Sequence, residues 1–154
     1  MLDQKMTNIL NKQIVIESAA SSKYLAMAVW CEAESLEGCA AFLYRQADEE
    51  REHMLKLVHY INDSDSVAII PAVAAPPAEY ESIQALFEAV HEGEQAVTAA
   101  INQIVSLCYE INDHATLSFM QWYIEEQREE EALMRSIIDK INLIGDGWQE
   151  PIFI

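Results

Sequence analysis

Basic residues are scarce in this sequence: nine Lys and Arg stand against twenty-six Asp and Glu, for a net charge of −17. That imbalance repels nucleic-acid phosphates and anionic membrane surfaces and attracts cations, which makes metal ions the natural partners. Proline is equally rare, and its four copies at 71, 76, 77 and 151 leave residues 1–62 and 82–144 without a helix breaker. The three cysteines, Cys31, Cys39 and Cys108, are odd in number and widely spaced, which excludes both a disulfide framework and a thiolate metal site. No stretch reaches the roughly 18 apolar residues of a membrane span. The opening MLDQKMTNIL lacks the order of basic segment, apolar run and small-residue cleavage site that marks a secretory signal. A soluble cytoplasmic protein with no nucleic-acid or membrane partner is the expectation. Its 154 residues suit one domain with a sizeable core.

Within the two proline-free stretches the apolar residues recur at helical spacing. Leu10, Ile14, Tyr24, Ala28 and Cys31 make one stripe; after a turn expected at Glu37–Gly38, Phe42, Leu43, Ala47, Met54, Leu57 and Ile61 make a second. Ile83, Phe87, Val90, Val97, Ile101, Ile104 and Cys108 make a third, and after Asn112–Asp113, a good N-cap, Met120, Ile124, Met134, Ile138 and Ile141 make a fourth that Gly145 ends. The spacing predicts helices over about 6–34, 38–62, 82–110 and 113–144, followed by a short tail at 145–154. The connecting segment DSDSVAIIPAVAAPPAEYE, 63–81, is too rich in proline for a helix and too long for a tight turn. Extended, it spans roughly 60 Å, more than the ~38 Å of a 25-residue helix, so it can return along the whole bundle and leave the second and third helices parallel. The predicted fold is an all-α four-helix bundle with one long crossover, because either hairpin alone would expose its apolar stripe.

The polar residues on these stripes repeat. ADEEREH, 47–53, overlies IEEQREE, 124–130, at an offset of 77, and the same offset carries Glu17 onto Glu94. Glu49 thereby pairs with Glu126, Glu50 with Gln127, Glu52 with Glu129 and His53 with Glu130. Glu17, Glu50, Glu94 and Gln127 each have apolar residues seven positions before and after, and His53 and Glu130 lie one turn beyond Glu50 and Gln127 on the same side. Six polar side chains are thus expected to converge between four helices. Buried carboxylates without partners cost several kcal/mol each, and with no Lys or Arg on the stripes the compensation must be protons or metal cations. Carboxylates with one imidazole suit iron or manganese, and zinc less selectively.

These segments resemble the bacterial non-haem ferritins, in EGCAAFLYRQADEEREHM and FMQWYIEEQREEEALMRSIIDKI together with Glu17, Tyr24 and Glu94, from the N-terminus to about Ile144. The resemblance implies a ferritin-like bundle, a shell of twenty-four copies, oxidation of Fe(II) by O2 or hydrogen peroxide, and storage of Fe(III) mineral. It implies that Glu17, Glu50 and His53 hold one iron and that Glu50 bridges to a second held by Glu94 and Glu130. Gln127 matches a glutamine on the oxygen-binding side, and Glu49, Glu126 and Glu129, with Glu130, match a third iron position. Tyr24 matches a tyrosine near the centre that donates an electron or a hydrogen bond, and Trp122 an aromatic beside it. No haem is expected, since Arg51 stands where bacterioferritins place the haem-ligating methionine, and Gln127 and Glu130 replace a second Glu-x-x-His pair. The family continues into a short fifth helix about the four-fold axes, where this sequence reads GDGWQEPIFI and stops, leaving the pores at those axes outside the resemblance. The same bundle also serves di-iron peroxidases or oxygen-reducing enzymes that do not mineralise, and a non-catalytic acidic bundle binding divalent cations is a third possibility.

Overall fold

Asp3, Ser82 and Asp113 each precede an apolar stripe with a side-chain oxygen that can accept from the first helical turn. In a computed structural model, which describes residues 1–145, Asp3 accepts from Lys5 N, Ser82 from Ala85 N and Asp113 from Thr116 N. They open α1 (Gln4–Ala33), α3 (Ile83–Ile111) and α4 (His114–Ile144), while α2 (Glu37–Asp63) begins without a side-chain cap. Ser35 and Asn112 take left-handed backbone, with φ of 62° and 57°, at the ends of α1 and α3, and Gly145 does so, with φ of 61°, after α4. The turn between α1 and α2 therefore lies at Glu34–Leu36, ahead of the expected Glu37–Gly38, and Gly38 already belongs to α2. Its position follows from Leu36, whose N–H donates to Cys31 O at 2.8 Å while its side chain packs on the core. A hydrophobic residue just past the helix end fixes such a cap. Beyond Gly145, the tail expected at 145–154 lies outside the described residues.

The chain order of the core residues gives the topology. One apolar cluster joins the end of α1 (Met27, Cys31), the starts of α2 (Cys39, Leu43) and α3 (Leu86, Phe87), and the end of α4 (Ile137, Ile141). The other joins the start of α1 (Met6, Leu10), the ends of α2 (Leu57, Ile61) and α3 (Ile104, Cys108), and the start of α4 (Met120, Tyr123). Since α2 and α3 begin at the same end they run parallel, and the crossover must travel the length of the bundle. It does so along α1. At one end Asn11 donates to Val67 O and accepts from Ile69 N, at 3.1 and 2.8 Å, and at the other Tyr80 meets Trp30 edge-on with ring centroids 5.7 Å apart. All-α architecture is thus observed among the described residues, and all three cysteines are buried in it. No described helix is long and apolar enough to cross a membrane.

Candidate metal centre

The two apolar clusters are separated by a layer of polar side chains. Glu17 follows Ile14 on α1, Glu50 and His53 lie between Ala47 and Leu57 on α2, Glu94 between Val90 and Val97 on α3, and Gln127 and Glu130 between Tyr123 and Met134 on α4. None of these six residues is more than 5% exposed. The helices α1 and α2, α3 and α4, and α1 and α3 pack at close range. By contrast, α2 and α4 meet through large side chains. Tyr123 O–H donates to His53 O at 2.7 Å, Trp122 stands edge-on to the His53 ring at 5.1 Å, and Gln46 Nε2 donates to Glu130 Oε2 at 2.8 Å.

The layer contains two groups of donor atoms spaced for a cation. In Glu17, Glu50 and His53, one donor atom from each lies within 4.8 Å of the others, and the same holds for Glu49, Glu126 and Glu130. The first group is fully buried; in the second, Glu130 is buried, Glu126 half-buried and Glu49 exposed. Glu94 belongs to neither. Its two carboxylate oxygens accept from Tyr24 O–H at 2.6 Å and from Gln127 Nε2 at 3.0 Å. Gln127 also reaches Glu94 O and Thr98 Oγ1. Glu129 is exposed and stands outside both groups.

Histidine 53 links the two groups, with Nδ1 at 3.1 Å from Glu50 Oε2 and Nε2 at 3.5 Å from Glu126 Oε1. A hydrogen on Nε2 directed at Glu126 leaves the Nδ1 lone pair facing Glu50 and Glu17, the orientation in which an outer carboxylate sets a metal-ligating imidazole. Gln13 Nε2 donates to Glu17 Oε1 at 2.9 Å, but Glu17 Oε2 is buried without any donor. Its neighbour is the Glu50 carboxyl, and two carboxyls can share a hydrogen bond only when one of them is protonated.

The electrostatics follow from this crowding. Burial, followed by the adjoining Glu50, holds the Glu17 carboxyl well above its ordinary range. Burial also pushes Glu50 up to about 8, with the charges of Glu94, Glu130 and Glu49 adding to it. Glu130 is pushed up to about 7 by burial and by Glu94, and Glu126 is raised mainly by burial. The Tyr24 hydroxyl is raised strongly by burial and Glu94, so it stays protonated and donates. Among the described residues the Lys and Arg ion pairs, Lys5–Glu110, Arg51–Glu52 and Arg128–Glu125, all lie on the surface. Inside the layer, protons or bound cations must balance the carboxylates, and the unpartnered Glu17 oxygen with an imidazole beside it fits a cation with oxygen and nitrogen ligands.

Reasoning from sequence did not find Gln13, Gln46, Thr98 and Tyr123, which orient the carboxylates and the histidine backbone. Gln13 and Gln46 each stand four residues before a carboxylate of the layer, and Gln46 maps onto Tyr123 at the offset of 77. That register was the one signal available.

Comparison with known proteins gives the lineage. Residues 7–144 match the ferritin-like domain of the ferritin family. The chain is 42% identical over 146 residues to a probable bacterial non-heme ferritin-like protein of Haemophilus influenzae, covering 95% of this chain and 88% of that one. It is 40% identical over 154 residues to a bacterial non-heme ferritin of Escherichia coli O157:H7, covering 100% of this chain and 93% of that one. Among solved structures, the ferritin of Chlorobium tepidum aligns with a TM-score of 0.91 at 40% identity, over 94% of this chain and 88% of that one. A match that spans all four helices, and relatives aligned over most of their own length, leave one conclusion: the chain belongs to the ferritin family.

Proposed function

We propose that this protein oxidises Fe(II) with O2 at a dinuclear centre and stores the Fe(III) product as an oxide-hydroxide mineral within a cytoplasmic shell of twenty-four copies. Family membership supports iron storage with ferroxidase activity. The observation that carries the site is the buried group of Glu17, Glu50 and His53, with donor atoms within 4.8 Å of one another. In this reading these three residues hold the first Fe(II), and Glu50 bridges to a second held by Glu94 and Glu130. Glu49, Glu126 and Glu129, with Glu130, hold a third iron beside the pair.

The chemistry asked of the site is modest. Each of two Fe(II) ions gives up one electron, and O2 takes both with two protons to reach the level of hydrogen peroxide. Anionic carboxylates favour Fe(III) over Fe(II), because the higher charge gains more from each negative ligand. Tyr24 and Gln127 fix the direction of Glu94 from opposite sides. The His53–Glu126 contact sets the imidazole.

The test is anomalous scattering at the iron edge from crystals soaked in Fe(II) without oxygen, paired with aerobic Fe(II) titration and size-exclusion chromatography. Two iron peaks among Glu17, Glu50, His53, Glu94 and Glu130, a large shell, and iron uptake far above the number of binding sites are expected. A small oligomer that turns over peroxide without accumulating iron would replace this reading with a di-iron peroxidase. Absence of iron from the layer would end it. Density beside Glu49, Glu126 and Glu129 decides the third position.

A further inference from the structure

Opposite the α2–α4 side, a groove of about 280 Å³ runs between α1 and α3. Its walls are built from small residues, Ala19 and Ala20 on α1 and Ala89, Gly93 and Ala96 on α3. Two of its lining residues, Tyr24 and Glu94, belong to the centre and are joined by the 2.6 Å hydrogen bond between Tyr24 O–H and Glu94. Both are almost completely buried, at 4% and 3% exposure, so they form its floor. The groove thus ends on the Glu94 side of the metal layer.

Gly93 is the residue that asks for an explanation. It lies in the middle of α3, where glycine costs about 1 kcal/mol relative to alanine. Its backbone is not among the positive-φ positions, and a Cβ built there meets nothing within 4 Å. Neither backbone conformation nor close packing requires glycine at this position. What the missing side chain does is leave the groove open. The lining also selects its occupant. Lys23 is the only basic residue on it, and the walls are otherwise apolar down to Tyr24 and Glu94. A hydrated dication would shed water against alanines and meet a like charge at Lys23. A small uncharged apolar molecule pays neither cost.

We propose that this groove collects dioxygen and delivers it to the Tyr24–Glu94 side of the centre. The inference rests on the ferroxidase reading above. It gives Gly93, the chain neighbour of Glu94, the role of a specificity-determining position that offers no ligand atom itself, and it separates the approach of the oxidant from the side of Glu49 and Glu126.

Xenon, an apolar probe of similar habit, gives a readout independent of turnover. Crystals of the wild-type protein under xenon pressure should show anomalous density between Ala20 and Gly93, absent in Gly93→Leu. Stopped-flow oxidation of anaerobically loaded Fe(II) at limiting O2 should show kcat/KM for O2 falling by about fivefold or more in Gly93→Leu, with Fe(II) stoichiometry unchanged. Gly93→Ala should raise Tm by removing the helix penalty while lowering kcat/KM for O2 less than Gly93→Leu does, a graded loss that follows the side-chain volume placed in the groove. A groove empty of xenon, or a Gly93→Leu variant with wild-type kcat/KM for O2, overturns the proposal. A wild-type protein that binds no Fe(II) would sink the ferroxidase reading itself, and that outcome is read from the stoichiometry rather than from the groove variant.

Discussion

Glu50 is the residue on which the metal layer turns, because it lies between Glu17 and His53 and senses Glu94 and Glu130 as charges. Removing it should abolish rapid Fe(II) oxidation while leaving the helices formed: Glu50→Ala is expected to show native circular dichroism and no fast oxidation phase, and unchanged kinetics would refute the assignment. Its protonation also makes a prediction for the metal-free protein. The carboxyl holds its proton to about pH 8 in the folded chain against an ordinary value of 4.5. As pH rises the unfolded chain loses this proton first, so the native state binds more protons and stability falls between about 4.5 and 8, then levels. The group's contribution is fully present below 4.5. Glu50→Gln removes the titration, so its urea-unfolding free energy should exceed that of the wild type by a few kcal/mol at pH 8 and much less at pH 5; parallel pH profiles would count against it. Tyr24→Phe leaves one Glu94 oxygen without its donor and should cost about 1–3 kcal/mol in the metal-free protein, measured by the same unfolding. The carboxylates were legible in sequence because a charge on an apolar stripe violates the pattern. Gln13 and Gln46 were not, because a neutral amide on such a stripe reads as one polar residue among many, and only its partner gives it meaning.

At the scale of elements, helix existence was readable and helix joints were not. Proline-free stretches with apolar residues at helical spacing define α1 to α4, and Asp113 announces α4 through its side chain. That cap accepts from Thr116 N at 2.9 Å and from Thr116 Oγ1 at 2.6 Å. Asp113→Ala should therefore lower stability by about 1 kcal/mol, seen as a fall in Tm with no change in iron stoichiometry. The α1–α2 joint was misplaced because glycine at 38 attracts a turn assignment, whereas the left-handed position is taken by Ser35 under the anchoring contact of Leu36. The crossover's length showed that it could return along the bundle but not which helix it follows. Asn11 supplies that information, bonding Val67 O and Ile69 N, and neither contact has a local sequence signature. Asn11→Ala is expected to speed amide exchange at Ile69 and its neighbours while leaving exchange in the helices unchanged, because the contacts are exposed and confined to one end of the segment.

Across the whole molecule, two apolar clusters enclose a polar layer in a chain of net charge −17, so the fold carries its least favourable electrostatics at its centre. The long-range convergence of Glu17, Glu50, Glu94 and Glu130 was legible only through the offset of 77, since no local pattern brings residues of four helices together. The price of that convergence is held in protons when no metal is bound. Glu50 and Glu130, pushed up to about 8 and about 7, keep protons at pH 6.5 that a cation must displace, and burial raises Glu17 in the same direction. Binding of a divalent cation therefore releases protons, and mass action makes the apparent affinity rise as pH rises through 7 and 8. Above that range Glu50 and Glu130 have already ionised in the metal-free protein, their share of the release vanishes and the rise in affinity weakens. Calorimetric titration with Co(II), which avoids oxidation, in buffers of different ionisation enthalpy should yield more than one proton released per subunit at pH 6.5 and clearly fewer at pH 9. Glu50→Gln should lose part of the release. Proton-neutral binding at pH 6.5 would mean that the carboxylates ionise without a cation, and that something other than shared protons balances the layer.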